Sequence, residues 1–165
     1  MLEQEIASAM KFIIEKTANP APYYYDVPQD FLVPAVYFPQ PEIDSNGYTL
    51  NTYSLTYSWF VKFFHKDTQS AQALGFAALT ALQEMRNVIP LIDEAGEFTG
   101  RGFRLKDPTL KPLDCAAQLT LSWESPRPYF KPEYEKMQVY DLNTYRKSAY
   151  DGAVSQITEG GQANG

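Results

Sequence analysis

The chain has little of what chemistry usually needs. There is one cysteine, Cys115, and one histidine, His65, so an internal disulfide, a multi-cysteine metal site and a multi-histidine metal site are all excluded. Basic residues are outnumbered: 14 Lys and Arg against 20 Asp and Glu give a net charge of −6, with no Lys/Arg cluster that could track a phosphate backbone. A dedicated nucleic-acid binder is disfavoured, and so is adsorption to an anionic membrane. No apolar run approaches the roughly 20 residues that span a bilayer. Residues Met1 to Lys16 carry Glu3 and Glu5 where a secretory signal would be basic. The expectation is a soluble protein made in a reducing intracellular place.

What is present points to surfaces. Hydrophobic residues make up 44% of 165 residues, enough for one domain with a core, yet 12 Pro and 12 Tyr exceed what a compact core uses. The clearest stretch runs from Thr49 to Asn87. Tyr53, Leu55, Tyr57, Trp59, Val61 and Phe63 alternate with Ser54, Thr56 and Ser58, which predicts a long strand with one buried face. At Asp67, a candidate N-cap, the period changes. Ala71, Leu74, Ala78, Leu82 and Met85 then predict a helix laid across that face.

Around this unit, Leu2, Ile6, Ala9, Met10, Ile13 and Ile14 predict an N-terminal amphipathic helix ended by Asn19-Pro20. Pro20 to Gln29, with Tyr23-Tyr24-Tyr25, reads as an extended arm, and Phe31 to Phe38 as a strand with Pro34 favouring an edge or a bulge. Pro39 to Tyr48 reads as a loop ending in an Asn46-Gly47 turn. After the central helix, Gly96, Gly100 and Gly102 suit a hairpin, and Asp107-Pro108 with Lys111-Pro112 a turn. Cys115, Ala117, Leu119, Leu121 and Trp123 then alternate as a second, central strand. The expected fold is α+β: an N-terminal helix and a mostly antiparallel sheet of about four to five strands, with a central helix on one face and an extended C-terminal arm. The expected division is a domain at 1–125 and an extension at 126–165, whose last dozen residues are small, polar and flexible.

No catalytic motif stands out. His65 reads as a polar strand end and Cys115 as a small core residue, a Cys-His nucleophile pair needing the two side chains close together. Asp93, Glu94 and Glu97 match no calcium loop and read as a solvated hairpin tip. No Gly-Lys-Ser/Thr follows the glycines, so they cradle no phosphate. No cofactor is implied and the chain is read as not an enzyme. Tyr53, Tyr57, Trp59, Phe63 and Trp123 are core by their alternation. The tyrosines near prolines suit a protein interface, or else a site for a sugar or other small ligand.

The pattern resembles the tail terminator (tail completion) proteins of long-tailed bacteriophages and the related neck proteins. The likeness rests on the N-terminal helix, on Phe31 to Phe38 with Pro34 and Pro39, and on the long strand ending Trp59-Phe60-Val61-Lys62-Phe63-Phe64. It continues through His65-Lys66-Asp67-Thr68 into the helix from Ala71 to Met85, and to Leu119-Thr120-Leu121-Ser122-Trp123. It covers about residues 1–125. The resemblance implies a hexameric ring that caps the tail tube, ends its polymerisation and joins it to the head connector. Its partners would be itself, the tail-tube protein and a head-completion or neck protein, with DNA only as passing cargo and no membrane. Its place would be the virion, after synthesis in the host bacterial cytoplasm. A head-tail stopper or adaptor ring, or a monomeric aromatic-rich ligand-binding domain, are the alternatives. The residues expected at interfaces are Tyr23, Tyr24, Tyr25, Glu94, Glu97, Phe98, Arg101, Arg104, Tyr129, Phe130, Tyr134 and Tyr140.

Overall fold

Strand β4 (Thr52–Phe64) is the axis of the structure, a computed structural model that describes residues 2–133, 144–147 and 154–157. Along its second half Tyr57, Trp59, Val61 and Phe63 are buried while the residues between them are half-exposed, so the period of two becomes a buried face and a wetter one. Strand β7 (Ala116–Pro128) pairs with all thirteen residues of β4 in an antiparallel ladder and buries Ala117, Leu119, Leu121 and Trp123 on the same face. Directly opposed Tyr57 and Trp123 stack with centroids 4.7 Å apart and planes 5° from parallel. Trp59 meets Trp123 edge-on at 6.2 Å, and Phe38 and Phe103 pack against the two indoles. Such aromatic pairs stabilise beyond the area they bury.

Helix α2 (Thr68–Glu84) covers this face with Ala71, Gly75, Ala78, Ala81 and Leu82. Small residues let it sit close: a Cβ at Gly75 would come within 2.5 Å of Leu110. Asp67 caps it as expected, its carboxylate accepting from the Ser70 backbone and hydroxyl, both at 2.8 Å. Those bonds hold the Asp67 carboxyl below its ordinary pKa. Met85, expected on the buried face, is the exposed C-cap residue, because the helix stops at Glu84.

The main sheet is α+β in layout, with seven strands, mostly antiparallel, and α2 on one face. Its order is β1 (Ala21–Tyr24), β2 (Ala35–Phe38), β4, β7, β6 (Phe98–Leu113) and β5 (Val88–Ile92), while β3 (Glu42–Gly47) pairs with the first half of β4. Two strands form where loops were expected. β1 lies in the proline-rich arm and pairs in parallel with β2, so β2 is not the edge. β3 runs through Asn46-Gly47, which pair with Ser54 and Tyr53, so the turn expected there falls later, at Thr49–Asn51. Conversely, Phe31 to Pro34 stay out of the strand, which starts at Ala35.

The turn expected at Asp107-Pro108 and Lys111-Pro112 is absent. β6 runs through both, bulging between Lys106 and Thr109, where Asp107 takes φ +30°. The chain turns instead at Asp114 and Cys115, and Cys115 is exposed with φ +49°, a turn residue and not a core one. β5 and β6 form the expected hairpin across Asp93–Glu97, with Gly96 at φ +81°. Gly102 is there because a Cβ would meet the Ile89 carbonyl at 2.9 Å.

Helix α1 (Leu2–Lys16) runs beside β5 and α2, burying Ala9, Phe12 and Ile13. It closes the sheet edge at Ile92: the Gln4 amide donates to the Ile92 carbonyl at 2.7 Å, and the Ile92 N–H donates to the Ser8 hydroxyl at 3.0 Å. These elements make one compact unit, Met1–Tyr129. A second unit, Phe130–Gly165, holds a small antiparallel pair, β8 (Thr144–Lys147) and β9 (Val154–Ile157). The rest of the expected flexible tail lies outside the described residues.

Candidate functional site

Three surface features of the first unit gather the exposed aromatic and charged residues. The first is the arm. Tyr23 is half-buried and held in place: it meets Phe31 edge-on at 6.2 Å, and its hydroxyl accepts from the Leu32 N–H at 2.9 Å. Tyr24 stacks on Phe38 at 5.8 Å, with much of its ring still exposed. Tyr25, 61% exposed at φ +62°, gives its carbonyl to the Tyr37 hydroxyl at 3.2 Å. Of the triplet, Tyr24 and Tyr25 are free to touch a partner.

The second is the β5–β6 hairpin and the cleft behind it. The ladder between β6 and β7 ends at Leu105 opposite Trp123, and the earlier part of β6 turns away to pair with β5. The gap is a cleft of ≈ 740 Å³ lined by residues that include Arg101, Arg104, Lys106, Glu5, Glu124 and Pro126. Lys106 pairs with Glu124. Arg101 and Arg104 are exposed and make no ion pair among the described residues. On the other side of the hairpin, Phe98, 64% exposed, lines a groove of ≈ 520 Å³ with Phe12, Met85, Pro90 and Ile92. Lys11 bridges it by donating to the Gly96 carbonyl at 2.8 Å. Glu94 and Glu97 sit exposed at the tip. The carboxylate of Asp93 accepts from the Glu97 N–H at 2.8 Å, so that residue shapes the turn.

The third feature was not foreseen. Between β3 and β4, Tyr48 is exposed and Leu50 is 99% exposed, while half-buried Tyr53 packs on Tyr129 at 5.4 Å. The signal was available: an apolar Leu50 in a turn built by Thr49 and Thr52 has nothing to bury against. Tyr53 is accordingly at the border of the core and not within it. Phe130, the first residue of the second unit, is 90% exposed. Tyr134 and Tyr140 lie outside the described residues.

The strongest polar constellation is internal. Glu5 is buried, with Oε2 accepting from the Trp123 indole N–H and Oε1 from the Ser125 hydroxyl, each at 2.8 Å. Burial raises the pKa of the neighbouring Tyr57 hydroxyl, Glu5 adds to the rise, and Arg127 opposes it. Nothing local in the sequence marks Glu5 as buried; it stands only as an acid where a secretory signal would be basic. His65 and Cys115 do come together through their backbones, the His65 N–H meeting the Cys115 carbonyl at 3.4 Å. Their side chains look elsewhere: His65 Nδ1 accepts from the Lys66 N–H at 2.8 Å, and Cys115 Sγ lies 3.9 Å from the Lys66 carbonyl. Among the described residues no three His, Cys, Asp or Glu side chains group as metal ligands.

No protein-family model matches the chain. It is 33% identical over 144 residues to the phage-like element PBSX protein XkdJ of Bacillus subtilis (strain 168), covering 87% of this chain and 98% of that protein. It is 34% identical over 124 residues to the uncharacterized protein YqbJ of the same strain, covering 75% of this chain and 85% of that protein.

Proposed function

The chain belongs to the family of the phage-like element PBSX protein XkdJ, and from that premise we propose that it is a structural protein of a phage or phage-like particle. The finer reading is a ring that caps the tail tube, ends tail polymerisation and joins the tail to the head connector. The observation that carries the reading is the match along 98% of a protein from a phage-like element. The surface supports it. Tyr24, Tyr25, Tyr48, Leu50 and Phe98 are exposed at separate places, which suits a subunit with neighbours on several sides better than one with a single ligand site. The net charge of −6, repeated around a ring, would give a lumen that does not hold passing DNA.

The test is a growth assay. Purified chain is added to polymerising tail-tube protein from the same phage element, and tube length and bound protein are measured. Capping predicts shorter tubes with the chain bound at one end. Tubes of unchanged length that carry no bound chain would overturn the reading. Binding to the head-side neck protein with no effect on tube growth would move the assignment to a stopper or adaptor ring.

A further inference from the structure

Strand β3 leaves one edge unpaired among the described residues. The Tyr48 N–H donates to the Thr52 carbonyl at 3.3 Å, which fixes the alternation of the β3–β4 ladder. Asn46, Asp44 and Glu42 therefore bond toward β4, and Ile43, Ser45 and Gly47 turn their N–H and C=O groups outward. All six β3 residues are exposed, and none is Pro or Lys, the residues that commonly blunt a free edge.

The cleft behind the β5–β6 hairpin carries the complementary edge. The Tyr129 N–H donates to the Asn51 carbonyl at 3.0 Å, so Arg127 and Ser125 bond toward β4, and Glu124, Pro126 and Pro128 face the cleft side. Two prolines there offer carbonyls and no N–H. An edge of this kind cannot pair with its own like, but it can accept from a strand that brings donors.

We infer that β3 of one copy adds to the sheet of the next by entering the cleft between β6 and β7, its outward N–H groups donating to the Pro126 and Pro128 carbonyls. This rests on the ring reading and specifies its contact. Charge selects the occupant. Glu42 and Asp44 make β3 acidic, with no Lys or Arg from Pro39 to Val61. In the cleft Glu5 is held by Trp123 and Ser125 and Glu124 by Lys106, leaving the exposed Arg101 and Arg104 for an incoming acid. The faces agree as well. They agree for a strand that runs parallel to β7, with Ser45 opposite Arg127 and the Ser45 and Gly47 N–H groups reaching the Pro126 and Pro128 carbonyls. Asp44 then lies opposite Pro126, on the face that Glu124, Ser122 and Lys106 share and that Arg104, two residues from Lys106, continues. Donor and acceptor edges lie on opposite sides of the β4–β7 pair, so the contact is head-to-tail, the kind that closes a ring when the rotation fits.

The test is the solution mass of full-length variants by light scattering, with thermal melting as a control. Ser45→Pro removes one outward N–H and spares the β3–β4 bonds of Asp44 and Asn46. It is expected to leave the monomer folded and abolish assembly. Asp44→Arg and Arg104→Asp are each expected to weaken association about tenfold or more, and the two together in one chain to restore it. Variants that assemble like the wild-type chain would overturn this contact and leave the ring reading standing. A wild-type chain that is monomeric at every concentration would also overturn it, with tube capping decided separately by the growth assay.

Discussion

The Glu5 carboxylate and the Trp123 indole are joined by a buried hydrogen bond of 2.8 Å that ties helix α1 to the centre of the sheet. Both oxygens are occupied, the second by Ser125, so neither donor has a substitute when the carboxylate is removed. Glu5→Ala is expected to cost about 2–3 kcal/mol, because a hydrogen bond to a charged group is lost and two buried donors are stranded. Urea unfolding measures it. A midpoint equal to wild type would show that α1 is held by its apolar residues alone.

Trp59 and Trp123 should carry the core. Both are fully buried and in contact with each other, and the Trp59 indole donates to the Pro39 carbonyl at 2.6 Å. Either one changed to Ala is expected to lose roughly 3–5 kcal/mol, the usual cost of emptying a large aromatic site. Because the two rings touch, the double mutant should fall short of the sum. Thermal melts of the three variants check both statements.

Gly102 tests the hairpin. A methyl group there would press on the Ile89 carbonyl and the Val88 side chain, each at 2.9 Å, where backbone cannot give way cheaply. Gly102→Ala is expected to destabilise by about 1–3 kcal/mol and to raise hydrogen exchange in β5. Gly100→Ala tests a different constraint, since nothing lies within 4 Å but φ is +79°. It should cost less, and leave exchange in β5 unchanged.

The cap of α2 predicts a pH dependence. Asp67 has its pKa lowered in the folded chain by the Ser70 bonds, so its contribution is fully present above the ordinary aspartate pKa. It is lost as pH falls through the depressed value. Asp67→Ala should therefore be less stable than wild type near neutrality, with the gap closing in acid. A gap that stays constant down to the lowest measurable pH would contradict the capping role.

Much of this was legible in the residues, and for a physical reason. Alternation along Tyr57 to Phe63 and Ala117 to Trp123, and the spacing from Ala71 to Leu82, are local patterns that burial on one face imposes. What escaped depends on distant partners. β1 and β3 are short and carry no alternation of their own, and exist because β2 and β4 offer edges. Asp107-Pro108 and Lys111-Pro112 looked like a turn because the proline signal is local, whereas β7 holds the strand straight through the bulge. The role of Glu5 was invisible because its partners are 118 and 120 residues away. Of the expected interface residues, Tyr24, Tyr25, Phe98, Arg101 and Arg104 are exposed, while Tyr23 is half-buried against Phe31. Exposed Leu50 escapes because the local turn signal is Asn46-Gly47, which β3 absorbs, whereas the chain bends at Thr49–Asn51.

The most direct measurement is the solution mass of the full-length chain across concentration, by light scattering with negative-stain images of the same sample. The account predicts particles of six copies of the 18.7 kDa chain, seen as closed rings. A monomer at every concentration, both alone and with tail-tube protein added, would contradict it.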